Sequence, residues 1–225
     1  MKELEEIYGI EIDNSEIFKQ ALTHPSYTQE NNLDYTENYE RLEFLGDAVL
    51  KLLTSEILFE KFPDYPEGNL SKIRSIVVSD NILSKIAIDT GLSKHIILAK
   101  HESKLANIES VSACAFEAVL GAFYLDGKLL KLKDFLRKVL TPYIEEVDAN
   151  FVKYNAKALL QEYTQGLTKQ TPVYKLIEET GPAHKKTFKI EVYYKDKPVA
   201  QGIGKSKKDA EQHAAYEACK ILGVI

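Results

Sequence analysis

The sequence predicts an all-α domain followed by a small α+β domain of αβββα order, and three observations predict it. From about residue 3 to residue 147, apolar residues recur at spacings of three and four, as in Ile57-Leu58-Phe59-Phe62 and Ile82-Leu83-Ile86-Ala87, the period of helices that bury one face. From residue 155 onward, alternating runs replace that period between two short helical stretches. The charge also changes sign: residues 1–152 hold 16 Lys+Arg against 26 Asp+Glu, a net −10, whereas residues 153–225 hold 13 against 8, a net +5. Such a division suits a basic tail that docks on a polyanion behind an acidic body that holds cations, although surface solubility produces the same numbers.

The helical half is interrupted at Pro63-Asp64-Tyr65-Pro66 and at Thr90-Gly91, where proline and glycine break the repeat. Asp148-Ala149-Asn150-Phe151-Val152-Lys153-Tyr154 reads as the join, so residues 1–148 form the first domain, 149–154 the linker and 155–225 the second domain. A helix to about Leu167 opens the second domain. Strands follow at Val173–Glu179, Phe188–Tyr194 and Val199–Ile203, and a last helix runs from Ser206 to Leu222 with Ser206 as its cap.

With 225 residues and 44% hydrophobic content, the chain has enough apolar material for two cores. No run of 18 apolar residues is present and the acidic N-terminus lacks the order of a signal peptide, so a cytoplasmic protein without a membrane partner is expected. Cys114 and Cys219 have neither CxxC nor Cys/His spacing; they read as reduced thiols rather than as zinc ligands or a disulfide. Serine and cysteine hydrolase chemistry lacks its motifs, since there is no G-x-S-x-G elbow or P-loop and Cys114 has no recognisable base.

The most informative segment is Asn38-Tyr39-Glu40-Arg41-Leu42-Glu43-Phe44-Leu45-Gly46-Asp47-Ala48-Val49-Leu50. On a helix, Glu40, Glu43 and Asp47 fall within roughly 60° of one another, so three negative charges leave from one stripe. Like charges at these spacings repel. A bound cation offsets that repulsion, and oxygen-only ligands favour magnesium or manganese; a solvated acidic face is the alternative that spacing alone leaves open.

The run from Glu40 to Leu50 resembles the signature of the ribonuclease III family, double-strand-specific RNA endonucleases. The resemblance extends through Ala21-Leu22-Thr23-His24-Pro25-Ser26-Tyr27, Glu67-Gly68-Asn69-Leu70-Ser71-Lys72-Ile73-Arg74 and Phe116-Glu117-Ala118-Val119-Leu120-Gly121-Ala122. It implies that Glu43, Asp47 and Glu117, with Glu40 adjacent, hold Mg2+ or in its place Mn2+. It also implies hydrolysis of duplex RNA to 5′-phosphate and 3′-hydroxyl ends in RNA processing, ribosomal RNA included. Two opposed cuts from one site per chain imply a homodimer, in which Phe44 packs into the partner; an ordinary core aromatic is the other reading of Phe44.

The C-terminal domain resembles a double-stranded RNA-binding domain in three patches. Gln161, Glu162 and Gln165 on its first helix offer donors and acceptors to ribose 2′-hydroxyls. The turn Gly181-Pro182-Ala183-His184 places Pro182 and His184 for a second minor groove, although a plain hairpin accounts for its glycine and proline. Lys205, Lys207 and Lys208 surround a helix start, where basic residues oppose the helix dipole and are easier to understand as phosphate contacts.

Four departures qualify the resemblance. The family's second metal-binding helix carries an aspartate three residues before the glutamate, and Cys114 stands there. A thiol is a soft ligand, mostly protonated at neutral pH, and neighbouring carboxylates raise its pKa further. Tyr39 replaces a common asparagine, Ala158 replaces a common threonine, and a glycine pair is missing from Lys104-Leu105-Ala106-Asn107-Ile108-Glu109. The rival expectation is therefore a duplex-RNA-binding protein that keeps the fold with weakened or lost cleavage. Among the histidines, His24 reads as a structural turn residue, and His95, His101 and His213 suggest no partner.

Overall fold

The computed structural model describes residues 1–100, 108–182 and 185–225, and its contacts divide the chain into two units, Met1–Glu146 and Val147–Ile225. The first comprises α1 (Lys2–Tyr8), α2 (Ser15–Ala21), α3 (Pro25–Glu30), a 3-10 turn at Tyr35–Glu37, α4 (Glu40–Lys61), α5 (Glu67–Val77), α6 (Asp80–Asp89), a second 3-10 turn at Leu92–His95, α7 (Ile108–Leu125) and most of α8 (Leu129–Ala149). The breaks fall where proline and glycine require them. Helix α4 stops before Pro63 and α5 starts after Pro66, while Gly91 takes the left-handed conformation, φ +86°, just beyond α6.

Helix α7 is the centre of this unit because it is apolar nearly all round: Ala115, Phe116, Ala118, Val119, Leu120, Ala122 and Phe123 are buried. The rings of Tyr8 and Phe18 pack on Phe123 at centroid distances of 4.9 and 4.6 Å. Leu50, Leu53 and Ile57 of α4 and Leu83 of α6 are also fully buried. Between Val111 and Phe123, Cys114 and Glu117 are half-buried while the residues around them are buried.

The second unit contains α9 (Phe151–Tyr154), α10 (Ala156–Thr168), β1 (Val173–Thr180), β2 (Thr187–Tyr194), β3 (Lys197–Gly204) and α11 (Lys207–Ile221). The three strands form one antiparallel sheet in the order β1-β2-β3, so αβββα is the observed order. Helix α11 lays Ala210, Ala214, Ala215, Ala218 and Cys219 on the core, and its small side chains allow close approach. Gly202 completes that approach, since a Cβ there would stand 2.1 Å from the Ala214 nitrogen. Within the expected linker, residues 149–154, α8 ends at Ala149 and α9 takes Phe151–Tyr154. The segment lacks both glycine and proline, so nothing in it forbids a helix.

Candidate active site

Helix α4 begins at the first of its acidic residues. Asn38, buried, accepts a hydrogen bond from the Glu40 backbone N–H at 2.9 Å through Oδ1 and donates to the Tyr35 carbonyl at 3.0 Å, which fixes where the helix starts. Glu40 is therefore on the first turn, Glu43 one turn on, and Asp47 a turn beyond that.

Two glycines bring α4 against α7. A Cβ on Gly46 would stand 1.7 Å from the Glu117 carbonyl oxygen, and one on Gly121 would stand 2.4 Å from the Leu42 carbonyl oxygen. Backbone meets backbone at this crossing, and the side chains on either side of it face a common space. Glu40, Glu43, Phe44, Asp47 and Lys51 of α4, Glu117 of α7, Val78 and Asp80 line one open cavity of about 630 Å3. The structure thus assembles all four carboxylates expected from the sequence. It adds Asp80, which sequence reasoning missed because an acidic residue in the first turn of a helix is ordinary. A cavity of about 670 Å3 bordered by Glu16, Lys19, Glu37 and Arg41 balances its charges and has no comparable acidic excess.

Burial and the crowding of negative charge act together at Glu117. Burial, together with the charges of Asp47, Glu43 and Asp80, pushes its carboxyl up to about 8, against a smaller opposing effect of Lys51. Lys51 Nζ pairs with Asp47 Oδ2 at 2.7 Å and so places one cation at the cavity. Among the described residues no three His, Cys, Asp or Glu side chains form a ready-made metal-binding group; the carboxylates border the cavity without closing on one point. Their chemistry nonetheless fits a hard divalent cation, because the donors are carboxylate oxygens and such an ion offsets the negative charge gathered at the cavity.

Cys114 and Tyr39, two of the departures from the family pattern, touch each other. The Tyr39 hydroxyl donates to the Cys114 sulfur, and the thiol in turn donates to Glu43. Burial, then the Glu43 hydrogen bond, then the charges of Glu43, Glu117 and Asp80 push the thiol up to about 12; the buried Tyr39 hydroxyl is raised as well, chiefly by burial. Cys114 is a neutral donor here, not a charged ligand. Phe44, with 82% of its surface exposed, is not a core aromatic of its own domain.

In the second unit Gln161, Glu162 and Gln165 are exposed on α10, while Ala156, Leu160 and Thr164 bury its opposite face. Lys205, Lys207 and Lys208 are exposed around the start of α11, where Ser206 accepts from the Asp209 N–H at 3.1 Å as the expected cap. Pro182 is exposed in a turn that Gly181 makes possible, with φ +90° and no room for a Cβ beside the Lys185 carbonyl. His184 lies outside the described residues, as do His101 and the segment of the missing glycine pair up to residue 107. His24 caps α3 by accepting from the Ser26 N–H at 3.1 Å. The partners that sequence did not suggest are Glu3, 3.3 Å from His95, and the Ile203 backbone, 3.1 Å from His213. Both cysteines are free thiols, and no helix of the described residues is long and apolar enough to cross a membrane.

Comparison with known proteins agrees with this division. Residues 14–144 match a ribonuclease-III-like family and residues 156–222 the double-stranded RNA binding motif. A Ribonuclease 3 of Streptococcus pneumoniae is 42% identical over 224 residues, 97% of this chain and 96% of its own length. A Ribonuclease 3 of Staphylococcus epidermidis is 41% identical over 216 residues, 95% and 88% of the two chains. A solved structure of the nuclease domain of ribonuclease III from Campylobacter jejuni, concerned with flexibility in a region involved in dimer formation, is 34% identical with a TM-score of 0.53. It covers 64% of this chain and 96% of its own.

Proposed function

The chain belongs to the ribonuclease III family, and from that premise we propose that it is a divalent-metal-dependent endoribonuclease that hydrolyses double-stranded RNA during RNA processing in the cytoplasm, ribosomal RNA included. The observation that carries the proposal is the gathering of Glu40, Glu43, Asp47 and Glu117 at one open cavity, on a chain whose second unit matches a duplex-RNA-binding motif.

Each part of the chain has a task. Gln161, Glu162 and Gln165 contact 2′-hydroxyls, Pro182 and His184 enter a further minor groove, and Lys205, Lys207 and Lys208 bridge phosphates, which places the duplex without reading its sequence. Glu43, Asp47 and Glu117, with Glu40 beside them, would hold the metal. Mg2+ or, in its place, Mn2+ would supply water activation and charge neutralisation at the scissile phosphate when bound. Lys51 engages Asp47 through Oδ2, which leaves Oδ1 of the same carboxylate for a metal. The exposed ring of Phe44 supports a symmetric homodimer, in which it enters the partner and two sites face opposite strands.

Cys114 favours the second reading, a duplex-RNA-binding protein with weakened cleavage, because it removes one charged ligand. Incubating the protein with end-labelled duplex RNA and Mg2+ or Mn2+ separates the two. Discrete products with 5′-phosphate ends support the enzyme. Binding without cleavage in either metal leaves only the second reading.

A further inference from the structure

We infer that Asp80 is an additional metal ligand of this site and supplies the carboxylate that position 114 lacks. The inference rests on reading the cavity as the metal-dependent nuclease site.

Geometry brings Asp80 to the metal side of the molecule. It is the first residue of α6 and, with Val78, lines the same cavity as Glu43, Asp47 and Glu117. Its charge is felt at both Cys114 and Glu117, the two α7 residues that face the same space. The position is held firmly. The Ser79 carbonyl accepts from the N–H groups of Ile82 and Leu83 at 2.9 and 3.0 Å, and Leu83, Ile86 and Ala87 are buried behind it.

A helix dipole offers a general reason for an acidic first turn, but serine or asparagine would satisfy a helix start without adding charge. Here the added charge shares one cavity with Glu43, Asp47 and Glu117. A fourth neighbouring anion is unfavourable for the metal-free fold and favourable once a divalent cation is bound. The chemistry at position 114 completes the argument. A neutral thiol engaged with Tyr39 and Glu43 leaves the ion one hard oxygen short, and Asp80 is the carboxylate from outside α4 and α7 that lines the same cavity.

The test is Mn2+ binding to the full chain without RNA, followed by electron paramagnetic resonance of free Mn2+, for the unaltered protein and for Asp80→Asn, Asp80→Glu, Cys114→Asp, Glu117→Gln and the double variant Cys114→Asp/Asp80→Asn. Circular dichroism verifies that each is folded. Asp80→Asn is expected to weaken Mn2+ binding roughly ten- to hundred-fold. Asp80→Glu should retain most of the affinity, and the double variant should recover what Asp80→Asn lost. If folded Asp80→Asn binds Mn2+ as the unaltered protein does while Glu117→Gln loses it, Asp80 is not a ligand and the metal site stands without it. If Glu117→Gln also binds unchanged, the cavity is not the metal site and the inference falls with the reading beneath it.

Discussion

Gly46 and Glu117 meet backbone to backbone: the Cβ that any other residue would place at 46 lies 1.7 Å from the Glu117 carbonyl oxygen. Closest approach of α4 and α7 thus occurs one residue from Asp47 and at the very residue that α7 contributes to the cavity. Packing and chemistry are set by the same contact. A change that separates the helices separates the ligands.

The first prediction follows from that contact. Gly46→Ala should force the helices apart and cost about 1–3 kcal/mol, the usual range for overpacking, which lowers Tm by roughly 5 °C in a chain of this size. Metal affinity should fall with it. Thermal denaturation and Mn2+ titration check both, and an unchanged Tm would mean that the crossing tolerates a methyl group.

A second prediction concerns pH. Folding raises the Glu117 carboxyl from its ordinary 4.5 to about 8. Between those values the folded chain keeps a proton that the unfolded chain has released, so stability contributed at this group falls as pH rises through the window. Without divalent metal, Tm should decline from pH 5 to pH 8. Glu117→Gln should flatten the decline, and Mg2+ should oppose it most at the alkaline end, where the carboxylate is free to bind. A variant profile parallel to that of the unaltered protein would remove Glu117 as the source.

At position 114 we expect weak cleavage of duplex RNA with Mg2+, better cleavage with Mn2+, and a higher Mg2+-dependent rate for Cys114→Asp, because a charged hard donor replaces a neutral soft one. Asp47→Asn should abolish activity with either metal. Single-turnover rates at saturating protein keep RNA affinity from passing for chemistry. Equal Mg2+ rates for the unaltered and Cys114→Asp proteins would show the position to be dispensable.

For assembly, Phe44→Ala should weaken the dimer by about 3 kcal/mol or more if the ring fills a partner's socket. The fold of each subunit should be unaffected, since the ring is 82% exposed within its own chain. Sedimentation velocity across a dilution series should show more monomer. An unaltered distribution assigns the ring another role.

RNA affinity of the full chain should fall steeply with salt, and Lys207→Ala with Lys208→Ala should weaken all duplex sequences alike while reducing the salt slope by about 1 per lysine. Filter binding at several salt concentrations measures this. Loss confined to one sequence would contradict phosphate contact.

The order of helices and strands was legible in the chain because period is a local property: three-and-four spacing around α4 and α6, and alternation through β1 to β3, need no knowledge of what they pack against. The acidic stripe Glu40, Glu43 and Asp47 was legible for the same reason, since one helix carries it. The helix Phe151–Tyr154 at the join was not legible, because a segment free of glycine and proline gives no local signal of its conformation. What only the tertiary structure decided is which distant residues share a space. Asp80 enters the cavity, Tyr39 reaches Cys114 and Phe44 is left on the surface through the crossing of α4 with α7 and the seating of α6 beside them. Those placements depend on backbone contacts such as Gly46 against Glu117, which arise from two separate segments and leave no repeat in either one.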